Sequence, residues 1–251
     1  MERALFLSRP DDDLPSWVGR LYFGAEFCPW TFPEAAEILA AMEAARRCAV
    51  PFTLATPVIV EPFLAPLRRV LEKISPFLAP GDEILISDWG ALSLVQETAP
   101  GIPVILGRVL SGQKRGPEIL DLQLTADESR YFRQGSWYSP EAERFLAETG
   151  IYRVELDNLL QGISPLPDGL RASLHYPFAM VTSSRNCPFR DGNRAEGCDS
   201  SCGEVFVLES PRSQLPLLQR GNTQFLSNDD LPGDLQGCGI DRLVWHPCLP
   251  R

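Results

Sequence analysis

Arg20-Leu21-Tyr22-Phe23, then Thr31-Phe32-Pro33-Glu34, then Phe52-Thr53-Leu54-Ala55 follow one another along the chain and point to its architecture. The two outer pieces are short and apolar and carry aromatic or β-branched residues, the composition of buried strands. Between them Ala35, Ile38, Leu39, Met42 and Ala45 recur at helical spacing, which gives one apolar stripe facing a core. Thr31, with Glu34 closing the same tetrapeptide, predicts a capping box at the start of that helix. Strand, helix and strand in series imply parallel strands joined by a crossover.

The alternation continues on both sides. Strands are predicted at Arg3 to Leu7, Glu83 to Ser87, Val104 to Val109, Tyr152 to Leu156, Phe178 to Thr182, Val205 to Leu208 and Arg242 to Trp245. Leu64, Leu67, Val70, Leu71 and Ile74 mark a second helix before Ser75-Pro76, and Ser139-Pro140 opens another that runs through Phe145 and Leu146 to Gly150. The expected fold class is α/β: a (β/α) barrel-like arrangement, incomplete, of mostly parallel strands, with an open doubly wound sheet as the alternative. No repeat or linker divides the chain, so residues 1–251 read as a single barrel domain with a cysteine-bearing loop at 187–202.

Composition narrows the function classes. Hydrophobic residues at 44% and charged residues at 22% are ordinary for a globular protein, and no apolar run is long enough to span a bilayer. The opening Met1 to Arg9 has too short an apolar stretch for a signal peptide and runs into Asp11-Asp12-Asp13, so the expected location is the cytoplasm, with no membrane partner. A formal net charge of -10 argues against attraction to a phosphate backbone, so no nucleic-acid partner is expected. Seven cysteines in a reducing compartment read more readily as metal ligands and buried thiols than as disulfides.

Three of those cysteines lie in Cys187-Pro188-Phe189-Arg190-Asp191-Gly192-Asn193-Arg194-Ala195-Glu196-Gly197-Cys198-Asp199-Ser200-Ser201-Cys202, a polar loop that offers thiols little to pack against. Cys28, just after the strand ending near Phe23, is the best fourth ligand, because functional groups gather where parallel strands end. Cys28, Cys187, Cys198 and Cys202 are thus the candidate metal ligands. Their spacing leaves zinc and a 4Fe-4S cluster both open, and the single close pair Cys198 and Cys202 tilts towards iron–sulfur. Cys48 reads as packing; Cys238 and Cys248 are reserve ligands. Asp88 is a substrate-facing candidate at a strand end, with a helix-capping role as the even alternative. His175 and His246 lie near strand ends, where a hydrogen-bonded structural role outweighs acid–base work. No zinc-protease, nucleophile-elbow or phosphate-loop motif is present, and no catalytic residue can be named.

Several of these segments together resemble peptidase family U thirty-two, the collagenase-like group, and most of all its UbiV-type branch. The pieces that carry the resemblance are Leu21 to Cys28, Thr53-Leu54-Ala55-Thr56, Ile86-Ser87-Asp88-Trp89-Gly90, Arg185-Asn186-Cys187, the Cys198 and Cys202 pair, and Asp241 to Pro247. The resemblance implies a 4Fe-4S cluster held by Cys28, Cys187, Cys198 and Cys202. It also implies a role beside a related protein subunit, as a heteromer, in oxygen-independent hydroxylation of a small aromatic or isoprenoid substrate such as a quinone precursor in ubiquinone biosynthesis. Relatives of this type continue through a further barrel segment after the position of Trp245, so the resemblance implies an open sheet edge for the partner to cover. The alternatives are a non-catalytic cluster-bearing accessory subunit and a structural zinc protein. Proteolysis is disfavoured for want of a nucleophile and base.

Overall fold

The structure is a computed structural model that describes residues 1–10, 13–190, 198, 202–211 and 213–250. Strands β1 (Glu2–Leu7), β2 (Arg20–Gly24), β3 (Phe52–Ala55), β4 (Glu83–Ile86), β5 (Val104–Leu106), β6 (Arg153–Asp157) and β7 (Arg171–Tyr176) follow one another along the chain. Then come β8 (Phe178–Ser183), β9 (Phe206–Ser210), β10 (Ser213–Arg220), β11 (Thr223–Ser227) and β12 (Ile240–Trp245). The helices are α1 (Ala35–Arg47), α2 (Leu64–Ile74), α3 (Gly90–Thr98), α4 (Ala126–Phe132) and α5 (Pro140–Thr149). Eight strands close into a barrel in the order β1-β12-β7-β6-β5-β4-β3-β2, and every neighbouring pair is parallel.

The α/β barrel expectation holds, but the sheet has no open edge. β12 pairs with β7 on one side and with β1 on the other, with Glu2 opposite Arg242 and Ala4 opposite Val244. The surface that a partner was expected to cover is therefore occupied by the chain's own first strand.

Alternation along each strand divides its side chains between two cores. Leu21, Phe23, Phe52, Leu54, Ile84, Ile86, Val154 and Leu156 join the layer under the helices. Ala4, Phe6, Tyr22, Ala55, Leu85, Ile105 and Val244 fill the barrel interior. At its N-terminal end the interior is ionic: Arg20 donates to Glu2 at 3.0 Å, and Arg242 donates to Glu2 at 2.5 Å and to Glu83 at 2.8 Å. Buried charges of this kind persist only when paired.

The remaining strands form an antiparallel sheet, β8-β11-β10-β9, between β7 and β12 in sequence. Two of the strands expected in the parallel sheet, near Phe178 and Val205, belong here instead. Pro177 alone separates β7 from β8, far too little chain for the crossover a parallel neighbour needs. β7 itself, together with β10 and β11, falls where no strand was expected.

Helix ends follow local chemistry. Ser139 caps α5 by accepting from the amide of Ala142 at 3.2 Å, and Gly150 ends it in the left-handed region at φ 73°. The capping box of α1 is Glu34 with Glu37, not Thr31 with Glu34. Pro33 holds Phe32 extended, which delays the helix, and Thr31 instead closes a 3-10 turn over Pro29–Thr31. Gly24 ends β2 at φ +136° with Ala55 O only 2.2 Å from where a Cβ would stand, so only glycine fits.

Glu83 gives the ionic end a pH dependence. Burial alone would raise its carboxyl, but Arg242, then Arg20, then the Tyr152 hydroxyl outweigh burial and hold it at about 2 against an ordinary 4.5. The resulting stabilisation, on the order of 3 kcal/mol, is present above pH ~4.5 and drains away as pH falls towards ~2. Urea unfolding of native protein and Glu83→Gln should show a gap at pH 7 that narrows steadily below pH ~4.5; a gap independent of pH would contradict this assignment.

Candidate metal centre

Three strand ends meet at the C-terminal mouth of the barrel, the face where parallel barrels present functional groups. Glu26 lies just past β2, His175 is the penultimate residue of β7, and His246 follows β12 directly. One donor atom from each lies within 4.8 Å of the others. All three side chains belong to buried residues, with His246 the most exposed at 2%.

Hydrogen bonds fix how these groups face each other. His175 Nδ1 lies 2.8 Å from His246 Nε2, and His175 Nε2 lies 2.6 Å from Glu155 Oε2. Glu155 in turn accepts from the Tyr22 hydroxyl at 3.2 Å, and Tyr22 accepts from Arg242 at 2.6 Å. The ionic end of the barrel is thereby wired to the histidine pair. The Phe6 ring stacks on His246 with centroids 4.8 Å apart.

Electrostatics set the charge states. Burial, followed by the positive field of Arg108 and by His175, pushes His246 well below the usual imidazole range, so the ring is neutral near pH 7. Burial would raise Glu155, but the His175 hydrogen bond and the fields of His175, Arg242 and Arg153 prevail and hold it below its ordinary value. Glu26 is paired through both oxygens with Arg108, which also donates to Asp157 at 3.0 Å and to the Phe178 carbonyl at 3.1 Å. Burial alone would lower Arg108, yet Glu26 and then Asp157 raise it above its ordinary value. Arg115 closes the other side of Asp157 at 2.9 Å.

An apolar cluster packs next to Arg108 and Asp157. Phe27, Met180, Phe225 and Leu249 form one buried cluster, with Val109, Phe178 and Leu218 packed against it. Met180 also donates its amide to Asp157 at 2.8 Å, so β8 is fastened to the barrel beside the histidines.

The chemistry of the set is that of a single borderline-soft cation. Two imidazoles and a carboxylate suit zinc, and a histidine whose second nitrogen meets a carboxylate is a common support for such a ligand. Nitrogens sharing one tetrahedral zinc stand roughly 3.3 Å apart, so the two rings would part by about half an ångström from their present 2.8 Å. Arg108 already holds Glu26, and its positive charge opposes a second cation.

The four cysteines expected to bind metal do line one pocket, together with Trp30, Arg185, Phe189 and Arg220. Burial, and after it the fields of Cys202 and Cys187, push the Cys28 thiol up, despite hydrogen bonds from the backbone at Trp30 and Thr31. The 4Fe-4S expectation is corrected here. Among the described residues the set that gathers its donor atoms within 4.8 Å is Glu26, His175 and His246, and no three thiols are so placed. The finding favours a mononuclear centre over an iron–sulfur protein. Most of the loop between Cys187 and Cys202 lies outside the described residues.

Of the other expected residues, Cys238 is part-buried with its thiol 3.7 Å from the Ile163 carbonyl, and Cys48 and Cys248 are exposed. Cys48 is therefore not a packing residue. Asp88 stands at the barrel mouth after β4, where it accepts from the Gly90 amide at 2.8 Å and from Arg185 at 3.3 Å. Glu26 and the pairing of the two histidines were missed. The signal available was position alone, since each of the three stands at or just past a strand end.

No protein-family model, curated protein or solved structure matches this chain. No helix among the described residues is long and apolar enough to cross a membrane.

Arg108 is the keystone of the mouth, because Glu26 and Asp157 are both fully buried beside it. Arg108→Met should leave two buried carboxylates short of a partner and cost about 3–5 kcal/mol. Urea unfolding at pH 7 checks this; a loss under about 1 kcal/mol would mean that Arg115 alone balances the site.

Proposed function

We propose that this chain is a metal-binding barrel protein whose Glu26, His175 and His246 hold one zinc ion in a structural role. The observation that carries the reading is the convergence of these three donors, all buried, from strands on both sides of the seam where the barrel closes. In the barrel order β7, β12, β1 and β2 are consecutive, so one ion ligated from β7, β12 and the end of β2 would bind the first and last parts of the chain together. Zinc bound here supplies a redox-inert Lewis acid that fixes the positions of three side chains.

Burial speaks for structure over catalysis. Two histidines with one carboxylate also make up catalytic zinc and non-haem iron sites, whose remaining coordination position is reached by solvent or substrate. Here all three donors are buried. A hydroxylation role beside a partner subunit would have to use a different arrangement of this mouth.

Zinc titration by calorimetry, with thermal unfolding in parallel, tests the proposal. Binding should stabilise the fold by about 2.7 kcal/mol at a free zinc concentration a hundredfold above Kd. His246→Ala should weaken binding by more than the roughly 10- to 100-fold that loss of an outer-shell contact costs. Cys28→Ser and Cys202→Ser should bind zinc as the native chain does. Metal retained in His246→Ala and lost in the serine variants would transfer the site to the thiol pocket and overturn the proposal.

A further inference from the structure

We propose that the pocket shared by the four cysteines is a binding site for a small aromatic acid, a flat apolar ring system that carries a carboxylate. The composition and charge of the pocket walls carry this inference, which does not depend on the zinc reading.

Two parts of the chain build the walls. On the barrel side stand Phe27, Trp30, Val58 and Val60, from the loops after β2 and β3. Opposite them the antiparallel sheet contributes Arg185 and Phe189, which follow β8, Arg220 at the end of β10, and Asn222 in the turn before β11. That turn is fastened to both parts: the Asn222 side-chain amide donates to the Phe27 carbonyl at 3.0 Å and to the Ser184 carbonyl at 2.7 Å. The space between the walls is about 730 Å³, counting the part open to solvent, which lies in the range of small-molecule sites.

Charge and shape together select the ligand. The whole chain carries a net charge of -10, yet the described residues that line this pocket include three arginines and no aspartate or glutamate. Arg190 lies over the Trp30 ring at 5.7 Å. Arg185 reaches Asp88 at 3.3 Å with its side chain 66% exposed, and water weakens an ion pair of that kind. Arg220 donates to the Leu249 carbonyl, which carries no net charge to offset the guanidinium. A guanidinium fork matches a planar carboxylate, while Phe27, Trp30 and Phe189 offer rings to a flat apolar body. A neutral apolar ligand would leave the arginines unused, and a bare inorganic anion would leave the rings unused.

Calorimetry with a matched pair of probes tests the site. Naphthoate should bind, naphthalenemethanol, which has the same rings and no charge, should bind at least about tenfold more weakly, and acetate should give no measurable heat. Arg220→Met should lower naphthoate affinity about 10- to 100-fold and leave naphthalenemethanol as it is. Phe189→Ala should weaken both ring-bearing probes alike. Absence of naphthoate binding, equal affinity for the two ring-bearing probes, or native naphthoate affinity in both variants would overturn the inference. If Arg220→Met does not fold, the comparison of the two probes on the native chain decides.

Discussion

Pairing of β1 with β12 is the constraint on which the mouth of this molecule depends. It brings the first strand against the last, places Glu2 beside Arg242, and turns what would be an open sheet into a closed barrel. Closure then fixes how far apart the ends of β2, β7 and β12 can stand, and these ends carry the three groups of the candidate centre.

The interior shows how one barrel accommodates charge at both ends. Its middle is filled by Ala4, Leu85, Ile105 and Val244, while Arg20, Glu83 and Arg242 occupy one end and the histidine pair the other. Tyr22 and Glu155 connect the two through an otherwise apolar stretch. Each desolvated ion in this column has a partner of opposite sign or a hydrogen-bond donor, which keeps so polar an interior from being a liability. Removal of one member leaves its neighbour charged and buried, so the column behaves as a unit.

Much of the fold was legible in the sequence because the outward-facing residues obey simple periodicities. Phe52-Thr53-Leu54-Ala55 and the stripe of Ile38, Met42 and Ala45 read correctly as a strand and a helix face. β7 escaped notice because its inward positions are Ser173 and His175, so a central barrel strand carries polar residues where a strand pattern expects apolar ones. The antiparallel sheet was misassigned because Phe178 to Thr182 has the composition of any strand, and composition does not tell which sheet a strand joins. The thiols drew attention through their spacing, a local property. Glu26, His175 and His246 come together only through closure of the barrel, and no local pattern records that.

Anomalous diffraction from crystals grown with zinc would locate the ion itself. One peak at the zinc edge, between Glu26, His175 and His246, is the expected result. A peak among Cys28, Cys187, Cys198 and Cys202, or an iron signal there with nothing between the histidines, would contradict it.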